Sequence, residues 1–335
     1  MNKKAKGWIL WIVILLIMLL FVCLLSMFYG SVGIPINRLI EIILKGEKSG
    51  ERIILFDLRL SRIILGIAFG GGLSLCGVIL QGMFRNPLVE PYTLGISGGA
   101  ALGVCIGIVL KLSKISGSYI LPVSGFAGAV FVVIIIYALS IRKGKIKIQN
   151  LLLTGVMISF VCSSLVMLLM AISRSEDLHG IIFWTMGSLA VNDWLLVKIS
   201  ITISLTLLFI SLFFTIDLNA ISLGEEEAIH LGVNIERSKK ALFFIVSILS
   251  GISVSVAGVI GFVGLIVPHI VRMIFGNDHR ILLISSYIGG AIFLILCDTI
   301  ARTIISPLEL PVGVITGIFG GGLFIYALNR RKVSV

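Results

Sequence analysis

The chain has 335 residues, of which 58% are hydrophobic and only 13% charged, with a mean hydropathy of +1.15. One water-soluble core cannot hide that much apolar surface, so a soluble globular domain is excluded and an integral membrane protein is implied. The net charge of +11 does not point to nucleic acid, because the basic residues are scattered between apolar runs, as retention of Lys and Arg on the inner side of a membrane would leave them.

Apolar runs are expected to cross the membrane near 8–28, 61–82, 92–110, 119–139, 151–172, 194–214, 241–261, 264–276, 282–299 and 311–328. Each is close to the roughly 20 residues that span the hydrocarbon layer as a helix, the eighth being short. The fold class is therefore an all-α membrane protein of about ten transmembrane helices, forming a single transmembrane domain over residues 1–335. The first run, Trp8 to Phe28, follows "MNKKAK" but is too long for a signal peptide and lacks a small-residue cleavage site, so it reads as a retained anchor. With the N-terminus inside, the inner segments hold 16 of the 27 Lys and Arg, including "RKGKIK" (142–147) and "RRK" (330–332), and both termini face the cytoplasm.

At the mouth of the second span, "RLSR" puts Arg59 and Arg62 on the outer side, the side that disfavours them. The next stretch, "FRNPLVEPYTLGISGG" (84–99), interrupts the apolar pattern with Arg85, Asn86, Glu90 and two prolines. Proline removes a backbone donor and disfavours a helical residue before it, so a fixed turn is expected there. "GISGG" matches a hydrolase nucleophile pattern around Ser97, but such a serine needs a histidine base. His179, His230 and His279 are expected in loops, and His269 stands beside a proline at a span end, so close helix packing accounts for the glycines better than catalysis does.

Small residues recur at GxxxG spacing in Gly66–Gly70, Gly99–Gly103, Gly103–Gly107 and Gly313–Gly317, which lets helix backbones approach closely. The five cysteines, Cys23, Cys76, Cys105, Cys162 and Cys297, all lie in apolar runs without a CxxC pair and read as packing residues. "SLCGVILQGMFRNPLVEPYTLG" (74–95) aligns without gaps on "SVAGVIGFVGLIVPHIVRMIFG" (255–276). The two copies start on the second and seventh spans, so one is inverted against the other. An inverted repeat of helices 2–5 and 7–10 is a transporter signature.

The longest polar inner segment is 218–240, where "SLGEEEAIHLG" reads as a short helix. Ser222 or Gly224 can cap it, Glu225, Glu226 and Glu227 complement its dipole, and Gly232 ends it. It is a candidate docking element for a cytoplasmic partner. On the outer side again, Asp298 and Arg302 in "DTIAR" stand four apart and can pair along a helix, while Arg59, Arg62 and Arg302 together suggest an acidic external partner. Neither HExxH nor GxxxxGK[ST] occurs, so zinc proteolysis and ATP binding by this chain are not indicated.

These fragments, with "LLLTG", "WTMGSL", "AGVIGFVGLIVPHIVR", "GNDHR" and "ELPVGVITGIFGG", resemble the permease subunits of ABC importers for iron-siderophores, haem and cobalamin, from about residue 29 to 328. The resemblance implies a second permease subunit, identical or closely paralogous, two cytoplasmic ATPases that carry ATP and Mg, and an extracytoplasmic substrate-binding protein. This chain would bind no cofactor or nucleic acid itself and would sit as a multi-pass protein in the cell's inner (cytoplasmic) membrane. Asn86 and Leu88 match positions of a cytoplasmic gate, and Thr154 and Gly155 a second constriction. Glu225, Glu226, Glu227, Ala228 and Gly232 match an ATPase-coupling helix, and Arg59, Arg62 and Arg302 match arginines that hold glutamates of the binding protein. Where the family commonly has Gly-Ala-Pro-x-Phe, this chain reads "GGGLF" (320–324), with Gly322 in place of proline. The expected function is transport without covalent chemistry, a ferric siderophore being the first candidate cargo. The alternatives are an ion-coupled secondary transporter, which would place carboxylates deep in its spans, and more remotely an intramembrane serine protease.

Overall fold

The computed structural model describes residues 3–30, 33, 50–117, 119–142 and 145–331. Parts of the basic runs 142–147 and 330–332, and most of 31–49, lie outside the described residues.

Helices account for almost all of the described chain. In order they are α1 (Lys3–Phe28), α2 (Gly50–Phe84), α3 (Ile96–Val109), α4 (Ile120–Ser140), α5 (Ile148–Ile172), α6 (Ser175–Thr185), α7 (Trp194–Leu212), α8 (Thr215–Leu223), α9 (Glu225–His230), α10 (Ile235–Ala257), α11 (Val263–Phe275), α12 (His279–Thr303) and α13 (Val312–Arg331). Seven are long and apolar enough to cross a membrane, and α3, α11 and α13 are shorter apolar helices. These fall on the stretches expected from hydropathy. A two-residue antiparallel ladder pairs Ile141 with Ile146 and Arg142 with Lys145 between α4 and α5.

α2, α12 and α10 are the most enclosed of the long helices, whereas α1 turns Leu10, Ile17, Leu20 and Phe21 outward, as suits a helix with lipid on one side. α2 begins at Gly50, earlier than the expected 61, so Arg59 and Arg62 lie within a helix instead of at its mouth. Its ladder widens to π geometry at Ile54–Arg59 and Gly66–Gly70. At the second of these sites a Cβ on Gly66 would stand 2.6 Å from Ile295 Cγ1, and one on Gly70 only 2.4 Å from the Gly290 carbonyl. Each of the four GxxxG pairs has at least one member at such a contact. Gly99 and Gly103 of α3 lie against the carbonyls of Gly128 and Ser124 on α4, whereas Gly317 has nothing within 4 Å.

The gapless sequence repeat is not matched residue for residue. Residues 74–84 stay helical in α2, but α10 stops at Ala257, and the aligned segment passes through Gly258 (φ 72°) and Phe262 (φ 67°) before α11 begins. Pro87 accordingly lies outside a helix and Pro268 inside one. Gly322, in place of the usual proline, leaves α13 continuous to Arg331. Ser97 is the second residue of the regular helix α3 and not a strand-to-helix elbow, which removes the backbone strain a hydrolase nucleophile exploits.

Candidate functional site

At the inner end by charge bias, α2 stops because Arg85 turns left-handed (φ 49°) and its N–H returns to the Gln81 carbonyl. The Asn86 side chain then accepts from the Leu88 N–H at 3.0 Å, an Asx turn that fixes the "NPL" corner. Leu88 is held out of the bundle, 54% exposed, while Val89 is buried behind it. The chain continues through a 3-10 turn (Pro91–Leu94) and Gly95 (φ 79°) into α3.

Gly155 of α5 packs on this turn. A Cβ there would meet Leu94 Cα at 2.9 Å, and one on Gly95 would meet the Gly155 carbonyl at 2.7 Å. The stretches expected to form two constrictions are thus joined: Gly155, next to Thr154, abuts the turn that leads away from Asn86 and Leu88. The same turn reaches the second half of the chain. The Tyr92 hydroxyl donates to the Ile260 carbonyl at 2.6 Å and accepts from the Ile260 N–H at 2.9 Å. The Glu90 carboxylate accepts from the Phe262 N–H just ahead of α11. Glu90 is therefore folded inward, with Oε2 buried, and not part of an open inner loop as its sequence position suggests.

The expected short helix is α9. It follows a break at Gly224, whose φ of 155° is a conformation that residues with a side chain rarely adopt. Gly232 (φ 81°) ends the helix, with its N–H on the Ile229 carbonyl and the Val233 N–H on Ala228. Ser222 does not cap it; its hydroxyl turns back to the Asn219 carbonyl instead. Ala228 is fully buried in a small cluster with Ala220, Ile221 and Ile235. Glu226, Glu227, Ile229 and Leu231 face outward, with Leu223 beside them.

Two ties root this element in the bundle. Buried Lys239 of α10 pairs with Glu225 at 2.9 Å and approaches Glu236 at 3.9 Å. Asn219 of α8 donates to Asp278 at 3.1 Å and accepts from the N–H and Nδ1 of His279 at 2.9 and 2.7 Å. Asp278 caps α12 through the Arg280 N–H, which makes His279 the buried first residue of that helix instead of a loop residue. His279 lies against Gly82 of α2, where a Cβ would be 2.8 Å from its Nε2. A cavity of about 370 Å³, lined by Arg85, Lys147, Glu225, Glu236 and Lys239 among others, lies between the end of α2 and α9.

The rim expected outside is more crowded than its sequence suggests. Arg59, only 3% exposed, donates to the carbonyls of Met27 and Phe28 at 2.7 and 3.1 Å. Arg302, equally buried, pairs with Asp298 at 2.9 Å, one turn earlier, and donates to Ser26 Oγ at 2.8 Å. Both therefore pin the end of α1 to α2 and α12. Arg62 reaches Glu309 at 2.6 Å and stands 3.6 Å from Asp298. These three line a cavity of about 400 Å³ with Phe183, Trp184 and Pro311.

Sequence reasoning missed Glu90, Tyr92, Asn219 and Glu309. Glu309 could have been found, as an acid placed just before the tenth span opposite outer arginines. The pairing of Asn219 with residues sixty positions away has no local signal. His179 and His269, read as possible loop or span-end groups, instead lie within helices, His179 tilted against Phe183 and His269 edge-on to Phe324.

Comparison with known proteins gives concordant matches. The signature of the FecCD transport family matches residues 17–330. The hemin transport system permease protein of Yersinia pestis is 40% identical over 280 residues, covering 82% of this chain and 83% of that protein. The Fe(3+) dicitrate transport system permease protein FecD of Escherichia coli K12 is 35% identical over 309 residues, covering 92% and 95%. Among solved structures, one described as an inward-facing metal-chelate type ABC transporter superposes with a TM-score of 0.84 at 31% identity, covering 96% of this chain and 99% of that one.

Proposed function

The chain belongs to the FecCD transport family, and from that membership we propose that it is the membrane-spanning permease of an ATP-driven importer that brings an iron chelate into the cytoplasm. A ferric siderophore is the first candidate and haem or cobalamin the next; relatives named for hemin and for ferric dicitrate support the iron-chelate class. The chain carries out no covalent chemistry and binds no cofactor. ATP and Mg belong to two ATPase subunits on the inner face, a second permease copy completes the pathway, and an extracytoplasmic protein delivers the chelate.

The observation that carries this reading is α9: a short helix rooted by Ala228 and Lys239, with its outer side turned to solution beside the gate turn. Apolar residues ringed by acids fit a groove on a partner protein, and Glu225, Glu226, Glu227 and Gly232 set the helix's start and stop. Motion of α9 reaches the gate through α8, His279 and the end of α2. Asn86, Leu88, Thr154 and Gly155 then close the inner side, each state being favoured by what the ATPases contact. Cysteines at Asn86 and Leu88 should crosslink to the second subunit when the inner side is closed and less when it is open. Labelling that ignores this state would remove both from the gate. The cargo is read by uptake of ferric siderophores, haem and cobalamin in the same vesicles.

On the outer side, Arg62, with Arg59 and Arg302 behind it, receives an acidic face of the delivery protein. Arginine's planar fork suits carboxylates. A docking carboxylate meets Arg62 most directly, because Arg62 is the most exposed of the three, Arg59 and Arg302 being buried.

A further inference from the structure

The pairing at the outer rim has a direction. Asp298 is committed to Arg302, at 2.9 Å with both side chains buried, and approaches Arg62 only at 3.6 Å. Glu309 differs: it follows α12 in the connection to α13, its side chain is 36% exposed, and it meets Arg62 through one short contact, Oε2 to Nη2 at 2.6 Å. Arg62 itself is 12% exposed. One guanidinium nitrogen is thus occupied by an internal, partly exposed carboxylate, on the surface where an external carboxylate would arrive.

We propose that Glu309 occupies Arg62 as an internal stand-in for the delivery protein's carboxylate, so that docking is an exchange in which the incoming acid displaces Glu309 from Arg62. This rests on the docking role of Arg62 proposed above. The net attraction of the partner is the difference between two carboxylates on one arginine, which keeps docking reversible. The partner such a rim fits is an acidic protein face whose carboxylate can grip the guanidinium with two parallel bonds where Glu309 makes one.

The competition has a sign that a merely structural ion pair lacks. Glu309→Gln should tighten docking by about two- to fivefold, the size of a rim pair, and the gain should fade at high salt. Removing a negative charge also favours an acidic partner non-specifically, so the test is a double-mutant cycle with Arg62→Ala. The importer's purified substrate-binding protein, free of chelate, is titrated onto the assembled transporter in nanodiscs. Expected is weaker docking with Arg62→Ala, tighter docking with Glu309→Gln, and no further effect of Glu309→Gln once Arg62 is absent. If Arg62→Ala leaves docking unchanged, the docking role itself fails. If Arg62→Ala weakens docking but Glu309→Gln does not tighten it, or tightens it equally without Arg62, the exchange is overturned while the docking role stands.

Discussion

Gly103→Val should abolish recovery of folded protein, while Gly317→Val, in the same kind of motif, should be tolerated. A Cβ on Gly103 would lie 2.2 Å from the Ser124 carbonyl, and its neighbours in the contact are equally tight, with a Cβ on Gly128 only 2.2 Å from the Gly99 carbonyl. Overpacking costs about 1–3 kcal/mol where side chains can yield. In this contact the obstacles are backbone atoms of the facing helix, so α3 and α4 must separate along their length. The loss exceeds that range and consumes much of the about 5–15 kcal/mol that holds a typical domain. Gly317 has open space around it. Monodisperse yield and thermal stability in detergent separate the two variants; equal yields would mean that the α3–α4 contact is looser than described.

The second large effect is expected at Ala228→Glu. Ala228 is fully buried, in a cluster of only four small apolar residues and Val233 beneath α9. An unpaired carboxylate there must be solvated, which levers α9 off α8 and α10. Only Ile235, the first residue of α10, brings a span into this cluster, so thermal stability of the bundle should change little. Co-purification of the ATPase should fall by more than tenfold, about 1.4 kcal/mol or more, and uptake should be lost with it. Glu226→Lys provides the complement, because Glu226 faces solution: it should weaken the ATPase contact without moving α9. Ala228→Glu with normal ATPase association and uptake would mean that coupling runs through another element.

Much of this was legible in the sequence, for identifiable reasons. Apolar runs follow from the lipid solvent, which leaves helices as the only structures available to an isolated span. α9 was readable because its start, acidic first turn and terminal glycine are local signals. The glycine pairs were readable as possible contacts, but which faced a backbone was not: Gly103 and Gly317 look alike until α4 is placed beside one of them. Depth was misread for a related reason. Glu90 sits among polar residues in "RNPLVEPY", yet its carboxylate turns inward to Phe262, more than 170 positions away. Arg59 and Arg302 looked exposed because charges mark span edges, whereas their partners, Met27, Phe28 and Ser26, belong to a different helix. The inverted repeat was sought by gapless alignment, which fails where one copy is broken at Gly258 and Phe262 and the other is not.

Inward carboxylates and broken helices are what an ion-coupled transporter uses to hold its coupling ion, so Glu90 and the break ahead of α11 make the energy source the point to test. The central claim is that energy comes from ATP on a partner. The direct measurement is uptake of a ferric chelate into proteoliposomes containing this permease, its ATPase and its binding protein. The account predicts uptake that requires ATP and persists when ionophores collapse proton and sodium gradients. Uptake driven by an imposed ion gradient without ATP, and abolished by ionophores, would contradict it.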